Sequence, residues 1–403
     1  MVHYCTKCVY PSASAFRLVF DENGICSGCR VHEDAKKINW NERKTMFKNI
    51  AEEYRNRDGS NYDCIVPVSG GKDSYFQVHY VIKVGLRPLL VTYHGNNYLP
   101  EGEYNLERMR EVFDCDHIIV RPSVETLKKL NRIAFKIHGD MNWHNHAGIE
   151  TVPPKIAIKF NIPLVVWGEH GSLDLSGMFS LKDRVEYTKR FRLEHAQHGF
   201  DWNNFTDEGL EEFGRSELKE GLCPQDLALW QFPSDEELMK VGMRGIYLGN
   251  FIPWDANVHV ELVKKLYNWK PAETPFERTY RNFSNLDDMH ENGIHDYLKF
   301  IKFGYGRGTD HACKDIRAGH MMREEGIAMV KKYDHIKPRR DLERWLVYVG
   351  MTEAEFDRIC DTFRDPRVWW IKDGEWWKDT ICGEASSYGK VHLSEEQQTK
   401  YKK

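Results

Sequence analysis

Six consecutive residues, Ser69-Gly70-Gly71-Lys72-Asp73-Ser74, have the composition of a phosphate cradle. They follow the apolar run Cys64-Ile65-Val66-Pro67-Val68 and precede a helix-like stretch from Tyr75 to Val84. Paired glycines let the backbone approach an anion, and a new helix aims unpaired N–H groups and its positive dipole end at it. Lys72 adds a full charge. The four residues that a Walker loop places between its first glycine and its Gly-Lys pair are missing. Residues 86–93 read as a second buried strand, so residues 62–93 form one strand, helix, strand unit. The loop then lies at the carboxyl end of the first strand, where open parallel sheets bind ligands. The plainer reading is a strand-to-helix turn with Asp73 or Ser69 as its N-cap.

The second chemical pattern is Cys5-x2-Cys8 and Cys26-x2-Cys29, the two-knuckle spacing of a tetrahedral thiolate site. Between the pairs, residues 16–20 alternate like a strand and Asp21-Glu22-Asn23-Gly24 offers a hairpin turn, as in a zinc ribbon. A segment this short cannot bury a competent core, so a structural zinc makes physical sense. With four cysteines as ligands, no position is left for water. The other six of the ten cysteines, Cys64, Cys115, Cys223, Cys313, Cys360 and Cys382, lack such spacing, and most of them read as buried small residues.

These groups need elements to position them. Residues 116–120 and 162–167 read as third and fourth strands, the latter ending in Gly168-Glu169, and residues 245–251 as a fifth. Helical patterns at 103–113, 123–137 and 152–160 alternate with them, which predicts a doubly wound α/β sheet. The polar, aromatic stretch from about 172 to 240 is then an insertion over the carboxyl edge. The expected organisation is a zinc ribbon over 1–35, a nucleotide-binding domain over 36–260 and a mainly helical region over 261–403. The tail from Ser394 reads as disordered.

The 403 residues are 41% hydrophobic and 29% charged, as in a globular protein. No apolar run reaches membrane-spanning length and no signal peptide is visible, so a cytoplasmic location is expected. A formal charge of −4 gives no global pull toward nucleic acid.

The loop resembles that of the PP-loop ATP pyrophosphatases, which split ATP into AMP and pyrophosphate while activating a substrate oxygen. Together with the cysteine pairs, Val166-Trp167-Gly168-Glu169, and Lys302-Phe303-Gly304-Tyr305-Gly306-Arg307 through Arg317-Ala318-Gly319, it looks like the bacterial N-acetyl sugar amidotransferases of surface-polysaccharide (lipopolysaccharide, O-antigen) synthesis. That resemblance spans most of residues 1–335. It implies conversion of a sugar acetamido group, on a nucleotide-linked sugar, to an acetamidino group with ATP and ammonia. Ser69, Gly70, Gly71, Lys72 and Ser74 would hold the pyrophosphate, while Asp73 either caps the helix or reaches magnesium. Thr92 and Tyr93 would lie near adenine, and Gly168 and Glu169 would border ribose or a metal.

For substrate, Lys302, Arg307 and Arg317 are candidates for a clamp on phosphate or a sugar carboxylate. Asn142 and His144, within His138-Gly139-Asp140-Met141-Asn142-Trp143-His144-Asn145-His146, suit a polar substrate loop. The histidine spacing of two suits a strand and offers little for a metal. Residue 2 is valine and no Gly-x-Cys-x-Gly elbow is present, so ammonia is expected from a separate glutaminase partner or from free ammonium. Trp369-Trp370-Ile371-Lys372-Asp373-Gly374-Glu375-Trp376-Trp377 reads as a hairpin, either packed internally or docking that partner. A tRNA thiolation enzyme is the alternative, but it wants a catalytic cysteine pair, and Cys223 and Cys313 stand alone. A non-catalytic zinc-ribbon interaction protein is a further reading, which the intact loop disfavours.

Overall fold

The computed structural model describes residues 2–96, 98–286 and 291–401. Five short strands, β1 Cys64–Pro67, β2 Pro88–Tyr93, β3 His117–Val120, β4 Leu164–Trp167 and β5 Arg244–Tyr247, form one parallel sheet in the order β3-β2-β1-β4-β5. Its strands read as unbroken apolar runs because helices cover both faces. Cys64, Val66 and Leu90 point into one core, while Ile65, Leu89 and Val91 point into the other. The chain builds outward from β1 to β3, then crosses back to lay β4 on the other side of β1. That reversal opens a crevice at the carboxyl ends of β1 and β4.

The longer helices before and between the strands are α1 Ser27–Ala35, α2 Trp40–Tyr54, α3 Lys72–Lys83, α4 Pro100–Phe113, α5 Val124–His138 and α6 Trp143–Phe160. The last begins nine residues before the expected start at 152. Pro153 and Pro154 suggest a break there, yet the helix runs through them. Pro154 has no N–H for the carbonyl of Glu150, and the Tyr187 hydroxyl donates to that oxygen instead at 2.8 Å. The supposed loop His138–His146 is therefore largely the end of one helix and the start of the next. The strand predicted over 245–251 ends at Tyr247 and gives way to a single 3-10 turn, Leu248–Asn250.

Beyond the sheet lie the helices Ala256–Tyr267, Glu291–Phe303, Arg307–Ala318, Arg323–Tyr333, Arg339–Val349 and Glu353–Thr362. They are followed by an antiparallel sheet of β6 Trp370–Lys372, β7 Glu375–Asp379 and β8 Ala385–Lys390. Asp373 and Gly374 both take positive φ in the β6–β7 turn, as Asp-Gly predicts. Trp369 and Trp376 are buried edge-to-face, with the Arg364 guanidinium against both rings, so the tryptophan hairpin packs internally. Contrary to its composition, the tail is packed through Tyr401, which is buried and donates its hydroxyl to the Arg364 carbonyl at 2.8 Å. Among the described residues, no helix is long and apolar enough to cross a membrane.

The N-terminal segment also differs from the ribbon expected. It holds only two isolated bridges, Tyr4 with Pro11 and Phe20 with Cys26, and residues 16–20 form no ladder. The segment folds instead onto the helix Arg307–Ala318, sharing a core with Tyr305, Ala312 and Cys313.

Candidate active site

The loop after β1 turns at Gly70, whose φ of +77° is open to glycine and strained for other residues. A Cβ there would lie 2.7 Å from the Leu106 nitrogen and 2.8 Å from its Cα, so backbone packing against α4 also demands glycine. The Gly70 carbonyl accepts from Trp269 Nε1 at 2.9 Å. Gly71 is the N-cap of α3, in extended conformation, and no side chain caps the helix. Neither Asp73 nor Ser69 takes that role. The first turn thus keeps its donors for an anion. Ser74 folds back so that its hydroxyl accepts from the Ser69 N–H at 2.9 Å, with the two hydroxyls 3.4 Å apart.

Lys72 and Asp73 leave the loop as an ion pair at 2.7 Å, and Asp73 Oδ1 meets His259 Nδ1 at 2.8 Å. Burial opposes ionisation of Asp73, but Lys72 and then His259 hold its carboxyl well below the usual range. The His259 imidazole is in turn stacked on Phe76, 3.6 Å between ring centres. Sequence reasoning missed His259 and Trp269, which arrive from far along the chain.

The loop opens into a cavity of about 470 Å³ at the β1/β4 reversal, lined by Ser69, Ser74, Tyr93, Asn142, Asn145 and Glu169 among others. Tyr93 reaches it from the end of β2. Thr92, its neighbour, does not line it. Strand alternation turns the Thr92 hydroxyl inward, to donate to the Val68 carbonyl at 2.6 Å and to sit 2.8 Å from His117 Nε2. Gly168 is packed beneath Trp254 and beside Gln77, while Glu169 meets Lys314 at 3.1 Å.

Behind the cavity wall is a polar relay. The Tyr93 hydroxyl is 2.9 Å from His144 Nδ1, and His144 Nε2 is 2.9 Å from Glu291 Oε1. Glu291 is fully buried, and it also accepts from Asn131 Nδ2 at 3.0 Å and Asn145 Nδ2 at 2.7 Å. Asn145 in turn donates to Asn142 Oδ1 at 2.6 Å. His144 is thus no cavity residue. Two positions along a helix turn side chains to nearly opposite faces, so His144 points inward while His146 lines the cavity. Burial, then the neighbouring His295, hold the His146 imidazole down to about 4, which makes it a neutral base at physiological pH. Glu291 carried no local motif and could not have been found from sequence.

The three basic candidates do not converge on the cavity. Arg307 Nε lies 2.9 Å from Asp296, and the guanidinium also faces Asp310, whose other oxygen accepts from Tyr10 at 2.6 Å. Lys302 is held over the Phe363 ring. Burial opposes the charge on Arg317, while nearby thiols raise its affinity for the proton. It donates to the Leu175 carbonyl at 3.0 Å and lies 3.6 Å from Cys26 Sγ. These residues join parts of the chain rather than forming a clamp.

Arg317 leads to the cysteine cluster. Cys5, Cys8, Cys26 and Cys29 are all buried, and their sulfurs lie within 4.8 Å of one another. Cys5 to Cys29 is 4.0 Å and Cys8 to Cys26 is 3.7 Å, far beyond a disulfide bond. They match the edge of about 3.8 Å expected for four thiolates at about 2.3 Å from zinc. The Cys8 and Cys26 N–H groups point at Cys5 Sγ, at 3.4 and 3.3 Å, a setting suited to a thiolate. Gly28 leaves room for the Arg317 guanidinium, and Arg323 donates to the carbonyls of Cys8 and Cys5. No other group of three or more such side chains is placed to share a metal among the described residues, the histidines around His144 included. Cys223 is exposed and Cys313 is buried against the cluster, and neither lines the cavity.

The parallel sheet in this strand order, with a Ser-Gly-Gly-Lys-Asp-Ser loop after β1, agrees with the doubly wound α/β fold expected from the sequence. Residues 277–381 match the family described as LPS biosynthesis protein WbpG-like, C-terminal domain. No curated protein matches the chain. Solved structures similar to it include the NH3-dependent NAD synthetase of Campylobacter jejuni, at 14% identity over 51% of this chain and 95% of that one, with a TM-score of 0.27. The NMN synthetase of Francisella tularensis is similar at 13% identity over 59% of this chain and 99% of that one, also with a TM-score of 0.27. Both likenesses are too loose to carry a functional argument.

Proposed function

We propose that this chain is an ATP-dependent amidotransferase that adenylates the acetamido oxygen of an N-acetyl sugar and replaces it with ammonia. The carrying observation is the uncapped α3 N-terminus, with Ser69, Ser74 and Lys72 around it, opening on a cavity at the strand reversal. The WbpG-like match over residues 277–381, to a family described by LPS biosynthesis, favours a sugar of surface polysaccharide as acceptor.

An amide carbonyl is a poor electrophile and oxide a hopeless leaving group. The acetamido oxygen therefore attacks the α-phosphate of ATP, and the bond to pyrophosphate breaks. The α3 donors, the serine hydroxyls and Lys72 stabilise the leaving charge. Lys72 has to exchange its contact with Asp73 for the phosphates, which frees the Asp73 carboxylate toward magnesium carried by ATP. His259 keeps that carboxylate oriented. Ammonia then adds to the imidate carbon, the adduct gives up a proton, and AMP leaves with the former amide oxygen. His146, neutral and facing the cavity, is placed to take the proton, while Tyr93, His144 and Glu291 fix the wall beside it. Zinc in the cysteine cluster is structural. Ammonia comes from a glutaminase partner or from free ammonium.

The test is AMP and pyrophosphate release with ammonium and a panel of nucleotide-linked acetamido sugars. Labelled ammonium nitrogen should appear at the former carbonyl carbon. Release of ADP and phosphate, or transfer of sulfur to RNA in place of amidine formation, would overturn the reading.

A further inference from the structure

A second chamber, of about 310 Å³, lies on the far side of Glu169 from the phosphate loop, between α1 and the turn that follows β5. Glu169 lines both spaces, so its carboxylate stands at their common wall. Two half-buried indoles, Trp40 and Trp254, form part of its wall, and Asp255 and Asn250 add polar groups. Its lining also holds an anomaly. His170 is 5% exposed, and neither of its ring nitrogens has a hydrogen-bond partner among the described residues. The rings of Phe179, Phe191 and Tyr247 surround it, 4.6 to 5.2 Å between ring centres. The buried Trp254 Nε1 is likewise unpartnered. Buried polar atoms without partners are costly. These nitrogens have almost no accessible surface, so a ligand in the chamber completes them only as the rings turn toward it.

Indole faces beside carboxylate, amide and imidazole groups suit a ligand with an apolar C–H face and a rim of hydroxyls. A pyranose has that chemistry, and the chamber is at the lower end of the size range of small-molecule sites. We infer that this chamber is the acceptor site, holding the pyranose of the N-acetyl sugar against Trp254, with its hydroxyls on His170 and Asp255 and its acetamido group turned past Glu169 toward ATP. The assignment rests on the amidotransferase reading for the identity of the sugar, while the chamber and its orphaned nitrogens are independent of it.

The experiment is saturation-transfer NMR on the full chain with N-acetylglucosamine and, separately, with ATP. Wild type should transfer magnetisation to the pyranose protons. His170→Leu and Trp254→Leu should each weaken sugar binding by about tenfold or more and leave ATP binding intact. Because the His170 nitrogens have no protein partner, His170→Leu should melt no lower than wild type, which separates lost binding from lost folding. Lys72→Ala should show the opposite pattern, with ATP weakened and the sugar retained. No transfer to the sugar in wild type, retention of sugar binding in both chamber variants, or loss of adenine contacts in Trp254→Leu would overturn the assignment. If sugar and ATP both bind as stated but no AMP forms with ammonium, the amidotransferase reading fails and the chamber stands.

Discussion

Replacing Gly70 with alanine tests the phosphate loop where geometry leaves least freedom. An L-residue at the φ of +77° costs roughly 1–2 kcal/mol. The new methyl would also press on the Leu106 backbone, 2.7 to 2.8 Å away, at about 1–3 kcal/mol more. Helix α4 cannot yield easily, because Asn105 beside Leu106 exchanges hydrogen bonds with Lys270 at 2.7 and 2.9 Å and its carbonyl accepts from Tyr75 at 2.6 Å. The loop must move instead, dragging Ser69 and the α3 donors, and a displacement near 1 Å is expected to cost about a hundredfold in rate. Gly71→Ala is the control. Its φ is −68° and its Cβ would meet only Ser69 Oγ, at 3.3 Å, so stability should change by less than about 1 kcal/mol. Thermal unfolding and AMP release, measured on both, decide the matter. Equal melting of the two variants, or unimpaired turnover in Gly70→Ala, would refute the argument.

Lys72→Ala should keep the fold and lose on the order of a hundredfold or more in pyrophosphate release, measured by coupled assay, since it removes a charge aimed at the leaving group. Any one of Cys5, Cys8, Cys26 or Cys29 changed to serine should lower the zinc content found by elemental analysis and destabilise the N-terminal segment, whereas Cys223→Ser should leave both zinc and turnover unchanged. Glu291→Ala strands the donors of Asn131, His144 and Asn145 and should cost about 3–5 kcal/mol in urea unfolding, well above Glu291→Gln. Burial holds His117, His138, His146 and His170 down to about 4 from 6.5, so the unfolded chain binds more protons between those values and stability falls as the pH is lowered through that window. Asp334 and Asp341, held up to about 6 by burial, and Glu150, held up to about 8, oppose this with fewer groups. The urea midpoint should be lower at pH 4.5 than at 6.5, and an unchanged or higher midpoint would contradict the balance.

The features legible in sequence were those whose physics is local. The phosphate loop, the two knuckles and the Asp-Gly turn each depend on a few adjacent residues, and each was placed within a residue or two. Arg307 and Arg317 were misread because a basic residue looks the same in sequence whether it awaits a ligand or faces Asp296 or Cys26. The helix start at Trp143 was hidden because Tyr187, the residue that answers for Pro154, lies far from it in the chain. His259, Glu291 and Trp254 reach the site through the fold alone, so no spacing announces them.

The attachment of the cysteine cluster to Arg317 and Arg323 sets an order of events during synthesis. The cluster and the helices that complete its surroundings are separated by almost the whole chain. At ~5–20 residues per second, roughly 15–60 s pass between the emergence of Cys29 and that of Arg323. For that interval the four thiols have neither their guanidinium neighbours nor the apolar wall of residues 305–313. Metal capture in that interval would protect the thiols before the rest of the fold can cover them.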